Sequence, residues 1–237
     1  MTQSRRLFRP TLGPTLMVVP AVVFMAGLGI WQVDRRAWKT DLIETRRTRI
    51  ASPAIALPQA PDLSKTEYRR VRLRGRFVHD RELYLGGRSW RGRLGYHIIT
   101  PMMLSTGGAV LVNRGWVPLK RKDPATRQAG QITGEISIIG HLRGQPAKSW
   151  FSPDNDPDKN FWFQIDLSAM AAHAKLKDTR TYYVQAAEPV PPGGWPKPVP
   201  IGVNLPNDHL KYAITWFVLA AAFAAIYVLY HLRRRPK

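Results

Sequence analysis

The 237-residue chain has no cysteine. That absence excludes a disulfide framework, zinc–thiolate centres, iron–sulfur ligation and thiol redox chemistry. Acidic residues are scarce, 16 Asp and Glu against 36 Lys and Arg, which leaves a formal net charge of +20. Catalytic signatures are missing as well: there is no GxSxG elbow, HExxH pair, phosphate-binding loop or GxGxxG dinucleotide turn. Their absence weakens any enzyme reading.

Charge is also absent from two long apolar stretches, Pro10 to Val33 and Tyr212 to Tyr230. A helix rises about 1.5 Å per residue and the hydrocarbon core is about 30 Å thick, so roughly 20 apolar residues span it. Both stretches meet that length. The first follows Arg5, Arg6 and Arg9, a basic leader that would also suit a secretory signal, yet its apolar run is long for one and no convincing small-x-small cleavage site precedes Trp31. Gly27 and Gly29 in the first stretch, and Ala213, Ala220, Ala221, Ala224 and Ala225 in the second, let two spans approach closely in lipid.

Arg233, Arg234, Arg235 and Lys237 follow the second span, against only Lys211 on its leading side, which keeps the C-terminus cytoplasmic. Two spans bring the N-terminus to the same side. The middle of the chain, with 29 basic and all 16 acidic residues, is then extracytoplasmic and cannot meet cytoplasmic nucleic acid. Its charge suits anionic lipid headgroups, an acidic protein face, or an acidic small molecule such as a haem with its propionates. Solubility alone is the plainer reading of the same charge.

The expected organisation is a cytoplasmic N-terminus (1–11), a transmembrane helix (12–31), a helical extension and linker (32–61), a β domain (62–187), a Pro-rich tether (188–208), a second transmembrane helix (209–231) and a cytoplasmic C-terminus (232–237). Strict alternation from Arg70 to Phe77 sets Arg70, Arg72, Arg74 and Arg76 on one face of a strand. That face could bind an acidic partner or guard an exposed edge against stray pairing. Further strands are expected at Glu82 to Leu85, Tyr96 to Leu104, Ala109 to Val117, Glu135 to Leu142, Phe161 to Ile165 and Thr181 to Ala186, with one short helix near Ser168 to Leu176. The fold class is a membrane protein with two transmembrane helices flanking one mostly antiparallel β domain, barrel- or sandwich-like. Prolines make Ser52 to Pro61 an extended linker and Glu188 to Pro206 a stiffened tether. Asn207 or Asp208 is placed to cap the second span.

Asp154, Asp156 and Asp158 open like a calcium loop, but Lys159 stands where the turn glycine belongs and Ile165 where the closing glutamate belongs, so a solvated turn fits better. His209, at the lip of the second span, shares a helical face with Tyr212 and Trp216 and can ligate haem iron. An interfacial histidine among aromatic anchors is the plainer reading. His231 lies about 33 Å further along the helix and belongs to no common site with it. At the same depth the first span ends in Trp31, Gln32, Arg35, Trp38 and Lys39. Rings there can stack on a haem edge, and Arg35 or Lys39 can pair with its propionates, although snorkelling anchors account for the same residues. A hydrolase reading would draw on His79, His97, His141 or His173, none of which sits in a recognisable catalytic spacing.

Five ordered blocks carry a resemblance over nearly the whole chain: Gly29-x-Trp31-Gln32-x-x-Arg35-x-x-Trp38-Lys39; Gly75-x-Phe77 with Glu82-Leu83-Tyr84; Leu111-Val112-Asn113-Arg114-Gly115-Trp116-Val117-Pro118; Tyr182-Tyr183-Val184-Gln185; and Asn207-x-His209-Leu210-x-Tyr212-Ala213-x-Thr215-Trp216-Phe217. The chain resembles the surfeit locus protein 1 family of cytochrome c oxidase assembly factors. Leu104 to Gly108 departs from the family pattern, where an acidic residue is expected before the glycine. The resemblance implies a two-span inner-membrane protein that serves maturation of oxidase subunit I, binds haem a transiently with His209 as axial iron ligand, and has haem a synthase as a further candidate partner. Trp31, Trp38 and Tyr212 would wall that site at the helix–domain junction. About eleven residues precede the first span, short for a mitochondrial transit peptide, so the expected location is a bacterial plasma membrane with a periplasmic central domain. A scaffold that stabilises oxidase subunits without touching haem is the alternative. The Asn113 to Trp116 block has no evident task beyond a strand and a glycine turn.

Overall fold

A computed structural model describes residues 10–148, 150–203 and 205–233. The leader arginines Arg5, Arg6 and Arg9, and the tail residues Arg234, Arg235 and Lys237, lie outside the described residues. Along the chain run α1 (Leu12–Ala51), β1 (Ile55–Ala56), α2 (Leu63–Thr66), β2 (Arg70–Phe77), β3 (Leu83–Trp90), β4 (Arg93–Leu104), β5 (Ala109–Pro118), β6 (Ile136–Arg143), β7 (Phe161–Trp162), α3 (Leu167–His173), β8 (Thr179–Glu188) and α4 (His209–Arg233). Contacts divide them into a helical unit, Met1–Thr45 with Val203–Lys237, and a β unit, Arg46–Gly202.

In the helical unit α1 and α4 are each long and apolar enough to cross a membrane. They pack antiparallel: Thr11 at the start of α1 donates its backbone N–H to Nε2 of His231 at the end of α4, at 3.2 Å, and the Thr15 hydroxyl meets that of Tyr227 at 2.6 Å. Gly29 is buried in the seam, where a Cβ would come within 2.6 Å of the Phe217 ring, and Ala213 and Ala220 are buried on the α4 side. Gly27, Ala221 and Ala225 face outward instead. One glycine of the expected small-residue face therefore makes the contact, because a two-residue step on a helix turns about 200° away from its partner. Neither expected cap forms. Asp208 accepts from Lys211 N–H through its backbone carbonyl at 3.0 Å, while its carboxylate takes the Lys211 ammonium at 2.7 Å and Asn207 donates to the Thr40 hydroxyl at 3.2 Å.

In the β unit the alternation of β2 is realised: Val71, Leu73 and Phe77 are buried and Arg72, Arg74 and Arg76 exposed. Strand β2 is no free edge, however. It pairs antiparallel with β6 along its length and with Met102–Leu104 of β4 at its end, which closes the ring β2-β6-β8-β5-β4 into a barrel. All pairings in that ring are antiparallel except β5 with β8. The arginine face is the barrel's outer wall, with Arg70 paired to Glu188 and Arg74 to Glu135.

Two apolar clusters share the central strand. Val110 and Val112 of β5 point into the barrel with Leu73, Met102, Leu142 and Tyr182, while Leu111 points outward beneath α3, β3 and β7 with Trp162 and Met170. Strand β5 is consequently buried on both faces from Ala109 to Val117. Asp166 starts α3 by accepting the Ala169 N–H at 3.0 Å, an N-cap worth about 1 kcal/mol.

Both proline-rich segments lie on the barrel rather than free of it. Ile55 and Ala56 pair parallel with β2, and the buried Tyr182 hydroxyl donates to the Pro58 carbonyl. In the second segment, Lys197 exchanges two backbone hydrogen bonds with Trp116, at 2.8 and 2.9 Å, and Gln185 Nε2 donates to the Val199 carbonyl at 2.7 Å. Proline removes a donor but keeps its acceptor, so the Pro58 carbonyl serves directly and the non-proline neighbour Lys197 supplies an N–H as well as a carbonyl.

Candidate functional site

The helical unit brings two of the expected site residues together. His209 is the first residue of α4, and its Nδ1 lies 2.6 Å from Oε1 of Gln32 on α1. A carboxamide oxygen can only accept, so Nδ1 carries the donated proton, and in the neutral ring that leaves the lone pair on Nε2. Nε2 makes no hydrogen bond among the described residues. An imidazole fixed in this tautomer by a carbonyl on its other nitrogen is the usual arrangement of a metal-ligating histidine.

Among the described residues no hydrogen bond or ring contact joins the other candidates to this pair. Gly29 and Gln32 face α4, whereas Trp31 and Trp38, seven residues apart, lie together on the flank of α1 and stay 54% and 51% exposed. The Arg35 guanidinium stacks 3.9 Å above the Trp38 ring, a cation–π contact that removes neither its charge nor its exposure. Lys39 and Trp216 are half-buried and Tyr212 is exposed. Trp31, Tyr212 and Trp216 make no ring contact with one another among the described residues.

The β unit holds a second concentration of chemistry. Glu82, buried at the start of β3, receives Arg127 through both guanidinium nitrogens, at 2.6 and 3.2 Å, and Arg114 at 3.3 Å. Thr100 donates to the same carboxylate at 3.3 Å, and His79 Nδ1 stands 3.6 Å away. Burial pushes the carboxyl up, but His79, Arg127 and Arg114 outweigh it and hold it at about 2. Burial brings Arg114 down to about 10, against the pull of Glu82. Arg114 also donates to the Gly130 carbonyl and lies 4.7 Å above the Phe77 ring, so its fork is fully engaged.

The block Asn113-Arg114-Gly115-Trp116 acquires its task here. Asn113 Oδ1 accepts the Gly115 N–H at 3.1 Å, Arg114 neutralises Glu82, and Trp116 Nε1 donates to the Arg88 carbonyl at 3.1 Å. Gly115 has φ +126°, and a Cβ there would collide with the Lys197 carbonyl of the proline-rich strap. Only glycine serves at a position needing both that backbone and that approach. The sequence signal for Glu82 was its place beside an otherwise apolar strand. Asp154 and Asp156, by contrast, pair with Lys148 and Lys159.

A sequence profile of the SURF1 family matches residues 18–221. Surfeit locus protein 1 of Mus musculus is 38% identical over 242 residues, covering 93% of this chain and 76% of its own. The Homo sapiens protein of that name is 37% identical, covering 93% and 78%, and the SURF1-like protein of Monosiga brevicollis is 37% identical, covering 93% and 87%. The chain belongs to the SURF1 family. The matched span takes in both His209 with Gln32 and the Glu82–Arg114–Arg127 cluster.

Proposed function

We propose that this SURF1-family chain carries out the family's role in cytochrome c oxidase assembly by holding haem a through His209 Nε2 and passing it to oxidase subunit I. The observation that supports the ligand assignment is the Gln32–His209 hydrogen bond, which engages Nδ1 and leaves Nε2 to face an iron at the end of an apolar helix pair. Trp31 and Trp38 offer ring faces to the macrocycle, and Arg35 and Lys39 offer cations to its propionates. Tyr212 and Trp216 flank the iron ligand on α4. Such a site is open, which suits a carrier that must release its cargo. Haem a synthase is the proposed donor. The membrane is a bacterial plasma membrane, with both termini cytoplasmic and the barrel periplasmic, an orientation that rests on the basic cluster after the second span.

The test is co-expression with haem a synthesis, followed by absorption spectra of the purified wild type, His209→Ala and Gln32→Leu. His209→Ala is expected to lose the bound haem, and Gln32→Leu to reduce it about 10-fold or more, as outer-shell substitutions do. Equal haem in wild type and His209→Ala removes the ligand assignment and leaves the haem-independent scaffold as the reading. Protease accessibility of the barrel from the periplasmic side tests the orientation, and cleavage from the cytoplasmic side alone reverses it.

A further inference from the structure

A cavity of about 330 Å³ opens in the wall of the β unit, lined among others by Arg88, His97, Asn113, Tyr183 and Gln185. It is at the small end of the range for ligand pockets, roughly 300–1,000 Å³. The protonation of its groups follows from hydrogen bonds alone. Asn113 Oδ1 is held by the Gly115 N–H, which fixes the amide so that Nδ2 faces His97 Nδ1 at 3.2 Å. An amide nitrogen only donates, so Nδ1 accepts and the imidazole proton is on Nε2. Burial, then the Arg88 charge, brings His97 down to about 4, which agrees with a neutral ring.

That Nε2–H has no acceptor among the described residues, and neither has the Tyr183 hydroxyl. Arg88 gives one hydrogen bond, from Nη2 to the Phe163 carbonyl at 2.8 Å, and its Nε is buried without a partner. No carboxylate pairs with it among the described residues, and none of the cavity-lining residues is acidic. The cavity thus gathers a half-buried guanidinium and two further donors, while the side-chain acceptors its lining offers, such as those of Gln164 and Gln185, are neutral. A carboxylate, which only accepts and matches the guanidinium fork, satisfies all three. The rest of the wall is mixed, with apolar Leu85, Pro146, Ala147, Phe163 and Ile165 beside neutral polar Ser152, Gln164 and Gln185. Next to Ser152 on the rim, Trp150 and Phe151 stack 4.5 Å apart while 84% and 80% exposed.

We propose that this cavity binds an organic carboxylate, its head group on Arg88, His97 and Tyr183 and its apolar body toward the Phe163 side and the Trp150–Phe151 rim. The proposal does not depend on His209 and stands or falls without it. The full chain in phosphatidylcholine nanodiscs is titrated calorimetrically with 3-phenylpropionate, with the uncharged isostere 3-phenylpropan-1-ol, and with inorganic phosphate. The carboxylate binds at least tenfold more tightly than either control, and the His97 Nε2 resonance in a ¹⁵N spectrum moves on saturation. Arg88→Met weakens binding at least tenfold. Ser152→Asp, which adds a negative charge at the rim and leaves the buried network alone, does the same without risk to the fold. Absence of binding, equal binding of the alcohol, equal binding of phosphate, or full affinity in Ser152→Asp each overturns the proposal.

Discussion

Replacing Glu82 by Gln keeps the shape of the side chain and removes the charge that two buried guanidinium groups share. The Arg127 side chain is fully buried and that of Arg114 nearly so, and neither has another carboxylate within ion-pair distance. Removing one partner of such a buried cluster costs about 3–5 kcal/mol. An independent route gives a similar size: the carboxyl lies at about 2 rather than its ordinary 4.5, and at about 1.4 kcal/mol per unit that difference is worth about 3 kcal/mol. The sign follows from a depressed carboxyl. Its stabilisation is complete above about pH 4.5 and is lost as the pH falls through about 2. Guanidinium unfolding of the full chain in nanodiscs, followed by tryptophan fluorescence with the buried Trp162 as reporter, should show Glu82→Gln about 3 kcal/mol less stable at pH 7. The gap should narrow toward zero as the pH approaches 2. The triple variant Glu82→Leu/Arg114→Met/Arg127→Met, with no charge left unpaired, should recover at least half of the loss. A single variant within about 1 kcal/mol of wild type, or a triple variant no more stable than the single one, refutes the reasoning, because surface ion pairs are worth only that much.

Gly29→Leu should part the two long helices, whereas Gly27→Leu, with nothing within 4 Å, should not. In this cysteine-free chain a Thr15→Cys/Tyr227→Cys pair reports the difference: its oxidative crosslink should fall severalfold with Gly29→Leu, and an unchanged yield rejects the close packing. Gly115→Ala puts a side chain at φ +126° and against the Lys197 carbonyl, which should destabilise the barrel by more than about 1 kcal/mol. The Trp116 and Lys197 amides, which hold the strap, should then exchange hydrogen faster than in wild type, and unaltered exchange counts against the strap's attachment.

How much of this was legible in the sequence depended on whether a contact leaves a periodic trace. The β2 alternation did, and Val71, Leu73 and Phe77 are buried as the pattern requires. Strand β5 could be placed as an apolar run, but its burial on both faces depends on α3 and β7, which are packed over it from about 50 residues onward, well outside any local window. Barrel closure rests on three residue pairs between Gly75–Phe77 and Met102–Leu104, and the parallel pairing of β5 with β8 on a long crossover. Neither has a local signature. The proline-rich segments show another limit: proline announces the donors a segment lacks, while the Pro58 and Val199 carbonyls and both backbone groups of Lys197 remain to fasten it.

The same division runs through the sites. His209 and Gln32 were visible because a charge-free helix makes any polar residue at its lip conspicuous, and the resemblance named both blocks. The resemblance named the Glu82 block too, but not its role, since its guanidinium partners come from positions 32 and 45 residues away. Nor was the cavity visible, since its chemistry turns on one backbone amide. The Gly115 N–H orients Asn113, Asn113 fixes the proton of His97, and that proton is the one left without an acceptor. Four consecutive residues, Asn113 to Trp116, therefore connect the cavity, the buried ion cluster and the strap. Trp116 completes the link by holding the Arg88 backbone that carries the cavity's cation. A substitution at any of the four acts on all three features through rigid hydrogen-bonded neighbours, which is why the block cannot be read one residue at a time.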